Sequence, residues 1–254
     1  MRLTDEQKQQ FYEDGYVVAP GAAREKVEGA LRAINASLGS EGIDPASLTR
    51  FRAQSYCPEL QSSPKVVGLL TDTPVWSFAE SAVGEGRIKP VASGQIALRF
   101  PAMGAPNEPG PHLDGMYTPT NGVPEGTIAN FTALVGVLLS DVPSGYAGNL
   151  TVWPGTHRIF ESYFRDHGPE SLLQGMPKVE LPEPVQITGK AGDVVLVHYQ
   201  VAHGIAGNAS PHIRYAVYFR LKHVDHDSLH WECMTDVWRE WEGMQDVVNA
   251  PARG

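Results

Sequence analysis

Cysteine is nearly missing from this chain: Cys57 and Cys233 are its whole complement. Two thiols make no disulfide framework, so the expectation is a fold held by its apolar core in a reducing cytoplasm. Basic runs are missing as well. A formal net charge of −9 with no Lys/Arg cluster argues against nucleic acid or an anionic membrane as a partner, which leaves a small molecule. No stretch approaches the length of a membrane span, and Met1-Arg2-Leu3-Thr4-Asp5-Glu6 has no apolar leader character. Linkers and internal repeats are absent, so residues 1–254 read as a single domain. Nothing in the chain indicates an oligomeric state.

Glycine and proline are plentiful, at 26 and 20, too many for a helical bundle and suited to turns between short strands. Helices are expected in the N-terminal third, 1–90. Thr4 is placed to cap one through about Tyr12, with Asp5 and Glu6 in its first turn and Gly15 ending it. Val27, Leu31, Ile34 and Leu38 recur at helical spacing within 23–38. The stretch 39–64 reads as irregular, and a further helix is expected over 66–83, with Pro74 near a break or in a first turn. From Gly94 the texture changes to strands. Gln95–Phe100 stops at Pro101, Asn149–Trp153 at Pro154-Gly155, and Val185–Ile187 is followed by the Lys190–Asp193 turn; a long run 127–139, Val194–His198 and Arg214–Leu221 are further strands. The expected class is α+β, mainly β: a core over about 94–222 braced by N-terminal helices, with an extension over 223–254. Trp231, Trp238 and Trp241 in that extension suit a terminal helix packed onto the body.

The chemistry-bearing residues begin with Pro111-His112-Leu113-Asp114-Gly115. On extended chain, residues two apart point the same way, so His112 and Asp114 offer two metal ligands from one strand end. A third must come from elsewhere. His203, just past a strand, is well placed, and His198 nearby is a rival. His157 follows a Pro-Gly-Thr turn and suits a structural hydrogen bond. His226 and His230, four apart in the His223–His230 segment, have a zinc-type spacing, although such Asp- and His-rich segments are commonly solvated turns.

Five features occur in order: Pro111–Asp114; Gly148-Asn149-Leu150-Thr151-Val152-Trp153-Pro154-Gly155-Thr156-His157-Arg158; Gly192-Asp193-Val194-Val195-Leu196-Val197-His198; His203; and Arg214. Together with Leu3-Thr4 and Phe11–Val18, this combination resembles the phytanoyl-CoA dioxygenase family of Fe(II)- and 2-oxoglutarate-dependent oxygenases. The resemblance implies a double-stranded β-helix, that is, a cupin-like jelly-roll barrel, with iron at its mouth. It implies His112, Asp114 and His203 as iron ligands, and Arg214 as the anchor for the distal carboxylate of 2-oxoglutarate. A planar guanidinium fork suits that task, and Arg220 and Arg99 are next in line for it. Phe131 and Gln95 fall near positions that line the co-substrate pocket in the family.

One departure is Ile205, where family members often carry a hydroxyl residue that helps to hold the co-substrate. Related halogenases lack the ligand carboxylate, so Asp114 speaks against a halide site and for oxygen insertion as the default, with ring closure, desaturation and epoxidation open to the same site. The expected co-substrates are 2-oxoglutarate and dioxygen, the products succinate and CO2, and the target a small or mid-sized metabolite, neutral or weakly charged because no basic cluster marks a coenzyme A or phosphate site. Met116, Tyr117, Tyr146 and Trp153 are candidates for the substrate wall. The competing reading is a metal-binding jelly-roll barrel without oxygenase activity, a binding protein or a metal-dependent isomerase or hydrolase. It would keep the histidines and Asp114 but has no need of Arg214.

Overall fold

In the computed structural model, which describes residues 1–250, helix α1 spans Asp5–Asp14. The Thr4 hydroxyl accepts from the Gln7 N–H, and the Gln7 side chain accepts from the Thr4 N–H, so two otherwise unpaired donors are satisfied reciprocally. Gly15 ends the helix at φ 75°, where a Cβ would run into Val201 and His157. Strand β1 (Tyr16–Ala19) and helix α2 (Arg24–Glu41) follow, and α2 buries Val27, Ala30 and Ile34 on one face.

The stretch expected to be irregular contains a short helix, α3 (Leu48–Ala53), between two 3-10 turns. None of its residues is fully buried, so it has no apolar period to betray it. The helix expected over 66–83 is two helices, α4 (Pro64–Thr71) and α5 (Val75–Val83). They separate at Pro74, which has no N–H to continue a ladder but suits the start of the next helix.

The strands are β2 (Gln95–Arg99), β3 (Ala133–Leu138), β4 (Leu150–Val152), β5 (Val185–Gln186), β6 (Val194–His198), β7 (His203–Ile205) and β8 (Arg214–Leu221). They form two antiparallel sheets, a larger one in the order β1-β6-β3-β8-β2 and a smaller one in the order β5-β4-β7. Among the described residues no pairing closes them into a barrel, so the barrel expectation is met only as far as two antiparallel sheets. Side chains of the larger sheet alternate between two cores. Val194, Leu196, Val135, Val137, Val217 and Phe219 pack toward the N-terminal helices. Val195, Val197, Leu134, Leu138, Ala216 and Tyr218 pack on the other side, with Leu150 and Val152 of the smaller sheet.

Two further expectations are corrected, and one helix had no expectation behind it. The run 127–139 is a strand only from Ala133, and the Asn130 and Thr132 side chains just before it are tied to the chain's C-terminal part. The Asn130 amide donates to the His230 carbonyl, and the Thr132 hydroxyl donates to Glu240. After Gly155 the chain forms helix α6 (Thr156–His167), which buries Phe160 and Phe164, a pair at helical spacing that the sequence reading passed over. The C-terminal segment is three short helices, α7 (His226–Leu229), α8 (Glu232–Thr235) and α9 (Gln245–Val248), instead of one. Trp238 and Trp241 do pack on the body, their rings 5.9 and 4.9 Å from Phe11, while Trp231 is half-buried.

Candidate metal centre and its cavity

The segment carrying His112 and Asp114 runs beside β7. The His112 N–H donates to the His203 carbonyl at 2.9 Å and the His203 N–H to the His112 carbonyl at 3.1 Å, an isolated antiparallel bridge that sets the two imidazoles side by side, 4.6 Å between centroids. Two glycines make this approach possible. A Cβ on Gly204 would collide with the Gly110 carbonyl, and Gly115 (φ 89°) has the Ala129 backbone 2.7 Å from where its Cβ would lie.

The side chains converge on one oxygen. Asp114 Oδ1 is 3.4 Å from His112 Nε2 and 3.6 Å from His203 Nε2. The other oxygen, Oδ2, accepts from Arg220 Nε at 3.0 Å and Nη2 at 2.7 Å. Burial alone would raise the Asp114 carboxyl, but Arg220 and the two histidines hold it well below the usual carboxylate range. His203 Nδ1–H donates to the Val201 carbonyl at 3.0 Å, which turns the Nε2 lone pair toward Asp114. Burial works against its protonation, but the Asp114 carboxylate outweighs burial and lifts its pKa. The donor atoms of these three residues all lie within 4.8 Å of one another. Two imidazole nitrogens and one carboxylate oxygen on one side, with open space on the other, fit a ferrous ion that keeps exchangeable positions.

That open space is a cavity of about 480 Å³. Its walls include Ala97, Leu113, Met116, Leu134, Leu150 and Ile205, along with Gln95, Tyr218, Arg52, Arg99 and Arg220. Gln95 therefore lines it, and its Oε1 accepts from Arg220 Nη1 at 2.8 Å. Phe131 stands behind the wall, buried, with the Arg220 guanidinium 5.7 Å from its ring. Of the four substrate-wall candidates only Met116 lines the cavity. Tyr117 is exposed, Tyr146 turns its hydroxyl to Glu108, and Trp153 is in the core.

Arg214 is buried, its Nε donating to the Gly148 carbonyl at 2.7 Å and its Nη1 to the Ala97 carbonyl at 2.9 Å. Its register partner across the β2–β8 pair is Arg99, which does reach the cavity. Arg99 Nε and the Tyr218 hydroxyl are buried without a hydrogen-bond partner. Burial first, then the Arg214 charge, depresses the Arg99 guanidinium from its ordinary value. Two adjacent arginines with no carboxylate between them suit the free end of a dicarboxylate. Sequence reasoning ranked Arg220 only as a substitute anchor and missed that it holds Asp114. The signal was available, since Arg214, Ala216, Tyr218 and Arg220 share one face by strand period.

His198 is not at this site. It faces the helices, where Nε2–H donates to the Val237 carbonyl at 2.8 Å, Nδ1 accepts from the Gln200 N–H at 3.0 Å, and the ring stacks on Trp241. Burial drives its pKa down to about 4. His157 Nε2–H donates to the Tyr12 carbonyl at 3.2 Å, a structural bond as expected. The His223–His230 segment is less solvated than expected, with His223 and His226 buried. His226, Cys233 and Glu240 also form a ligand-type group, but His226 already uses Nδ1 on Glu240 (2.9 Å) and Nε2 on the Asn130 carbonyl (3.0 Å). With the Thr132 hydroxyl also on Glu240, it ties the tail to the sheet. Among the described residues no helix is long and apolar enough to cross a membrane.

Among solved structures, the carbocyclase SnoK of nogalamycin biosynthesis, described as non-heme and α-ketoglutarate-dependent, is 22% identical with a TM-score of 0.56, over 86% of this chain and 83% of its own. HygX from Streptomyces hygroscopicus, solved with nickel and 2-oxoglutarate bound, is 20% identical with a TM-score of 0.56, over 87% of each chain. AviO1 from Streptomyces viridochromogenes Tue57 is 16% identical with a TM-score of 0.53, over 85% of this chain and 93% of its own. At these identities the likeness is one of fold. No curated protein sequence matches significantly. The family model "Phytanoyl-CoA dioxygenase (PhyH)" matches residues 11–216, a span that includes both halves of the His-Asp-His cluster and Arg214, and the chain belongs to that family of Fe(II)- and 2-oxoglutarate-dependent oxygenases.

Proposed function

We propose that this protein couples the oxidative decarboxylation of 2-oxoglutarate to oxidation of a C–H bond in a small or mid-sized metabolite, with hydroxylation the default outcome. The carrying observation is one cavity with the His112–Asp114–His203 donors on its wall and the Arg99–Arg214 pair, which lacks any carboxylate, beside it. In this reading His112, Asp114 and His203 hold ferrous iron. Bound there, iron with 2-oxoglutarate and dioxygen supplies the oxidising power to break the C–H bond, and the co-substrate leaves as succinate and CO2.

The chain's own residues do the rest. Arg214, fixed by two backbone carbonyls, and Arg99, which reaches the cavity, take the distal carboxylate of 2-oxoglutarate. The orphaned Tyr218 hydroxyl stands ready as a further donor. Ile205 lines the cavity where relatives often place a hydroxyl, so the arginine pair carries more of the anchoring here. Arg220 holds Asp114 Oδ2, which keeps Oδ1 turned to the histidines. Leu113, Leu134, Leu150 and Ile205 exclude water around the reacting bond. The two antiparallel sheets are read as the halves of a double-stranded β-helix, supported by their face-to-face core.

The test is an anaerobic titration of Fe(II)-loaded protein with 2-oxoglutarate, followed through the visible charge-transfer band of the chelate. A band that appears in the native protein and is lost in Arg214→Leu at the same concentration is expected. Iron binding without any band would favour the metal-barrel alternative.

A further inference from the structure

The cavity has an electrostatic sign opposite to that of the protein around it. The chain carries a formal net charge of −9, yet the cavity walls carry Arg52, Arg99 and Arg220 against the single carboxylate of Asp114. Three of the arginines in and beside it have assigned work. Arg220 is engaged by Asp114, and Arg99 with Arg214 would take the free end of 2-oxoglutarate.

Arg52 is left over. It sits on α3, the short helix that borders the cavity mouth, and is exposed. Among the described residues it makes no ion pair and no side-chain hydrogen bond, unlike Arg32, Arg87, Arg165 and Arg239, each of which pairs with a carboxylate. Its position is supported by Gln54, whose amide donates to the Thr120 carbonyl at 2.8 Å and ties the end of α3 to the loop carrying Thr118 and Asn121, which also line the cavity. Its charge is close enough to Arg99 to disfavour protonation there. An unpaired cation held near another cation, at the rim of an apolar-walled cleft, concentrates anions at that rim. The Asn121 side chain is spent on its own loop, with the Thr118 and Val123 N–H groups on its oxygen and its amide on the Met116 carbonyl.

We infer that the primary substrate bears an anionic group, a carboxylate or a phosphate, which Arg52 holds at the cavity mouth while the apolar walls take its body. This rests on the oxygenase reading above. Arg52 is then a specificity residue: it positions the substrate end remote from the metal and takes no part in holding 2-oxoglutarate.

The experiment uses the full chain loaded with Mn(II) and saturating 2-oxoglutarate, whose uptake is read first from the change in water relaxation. Hippurate, phenyl phosphate and the neutral hippuramide are then added separately, and paramagnetic broadening of their ring protons is recorded. At least one of the two anions is expected to broaden about fivefold or more beyond the amide, and which one does so separates carboxylate from phosphate. Arg52→Gln is expected to abolish that preference with 2-oxoglutarate uptake unchanged, and Arg52→Lys to keep part of it. Equal broadening by anions and amide overturns the inference, as does a preference that survives in Arg52→Gln. Weakened 2-oxoglutarate uptake in Arg52→Gln, or anion binding only by displacement of 2-oxoglutarate, assigns Arg52 to the co-substrate and overturns it too. A native protein that binds Mn(II) but not 2-oxoglutarate sinks the oxygenase reading itself, and that outcome is visible before any probe is added.

Discussion

His198 and His203 lie close together in sequence, either side of one tight connection, and the two regions they enter treat an imidazole differently. On the helix-covered side of the larger sheet, His198 has both nitrogens committed to backbone groups and is stacked on Trp241. On the cavity side, His203 gives up only Nδ1, so its Nε2 is free to meet Asp114. Both are buried. Burial therefore says little about which histidine can hold a metal. The second nitrogen's hydrogen bond, and the group that the first one faces, decide it.

The comparison can be broken most severely at the carboxylate. Asp114→Ala is expected to abolish iron binding and all succinate release, because it removes the oxygen on which both imidazoles converge. His198→Gln is expected to retain metal stoichiometry by calorimetry, and loss of iron in that variant would put the wrong histidine at the site.

Arg214→Leu comes next. Leaving a co-substrate carboxylate poorly paired should weaken 2-oxoglutarate binding by about 2–4 kcal/mol, read as the concentration for half-maximal turnover. If Arg99→Leu does more damage, the pair's leading member is the one that reaches the cavity.

The helix-covered side is sharpened by pH. The folded pKa of His198, about 4, lies below its ordinary value of 6.5. The native ring is neutral and the unfolded one takes up a proton, so its contribution is fully present above pH 6.5 and is lost as pH falls toward 4. That loss is about 3 kcal/mol at about 1.4 kcal/mol per pH unit. His157, likewise held well below its ordinary value by burial and by the nearby Arg158 charge, acts in the same direction. Denaturant unfolding of the metal-free protein between pH 7 and 4 should show this slope, and His198→Gln should flatten it. An unchanged slope would mean that the ring is not held neutral.

The smallest expected effect is at Arg220. Arg220→Gln should lower metal affinity about 10–100-fold by releasing Asp114 Oδ2, while co-substrate affinity at saturating metal changes little. The reverse pattern would make Arg220 the carboxylate anchor.

How legible this was varies element by element. Thr4 with Gly15, and Pro74, marked helix ends accurately because caps and breakers act through the residues beside them. Runs rich in β-branched and aromatic residues, such as Val194–His198 and Arg214–Leu221, declared their strands for the same local reason. The start of β3 was misread because Asn130 and Thr132 bond to residues about a hundred positions away. α3 was missed because it buries nothing, and the rim of the cavity was missed with it. Among the proposed site residues, His112, Asp114 and His203 were legible through spacing and family resemblance. The tasks of Arg220 and Arg99 were not, since a strand reading says which face a side chain takes but not what waits there.

The sequence alone determined the class of chemistry, through the identity of a few donors, and the alternation of two faces along each strand, through backbone geometry. Tertiary structure alone decided which histidine keeps a free nitrogen, that both imidazoles meet on one oxygen of Asp114, and that the arginines of an acidic chain gather at one cavity. Those outcomes depend on distances of a few ångströms between segments far apart in the chain, and only packing sets such distances.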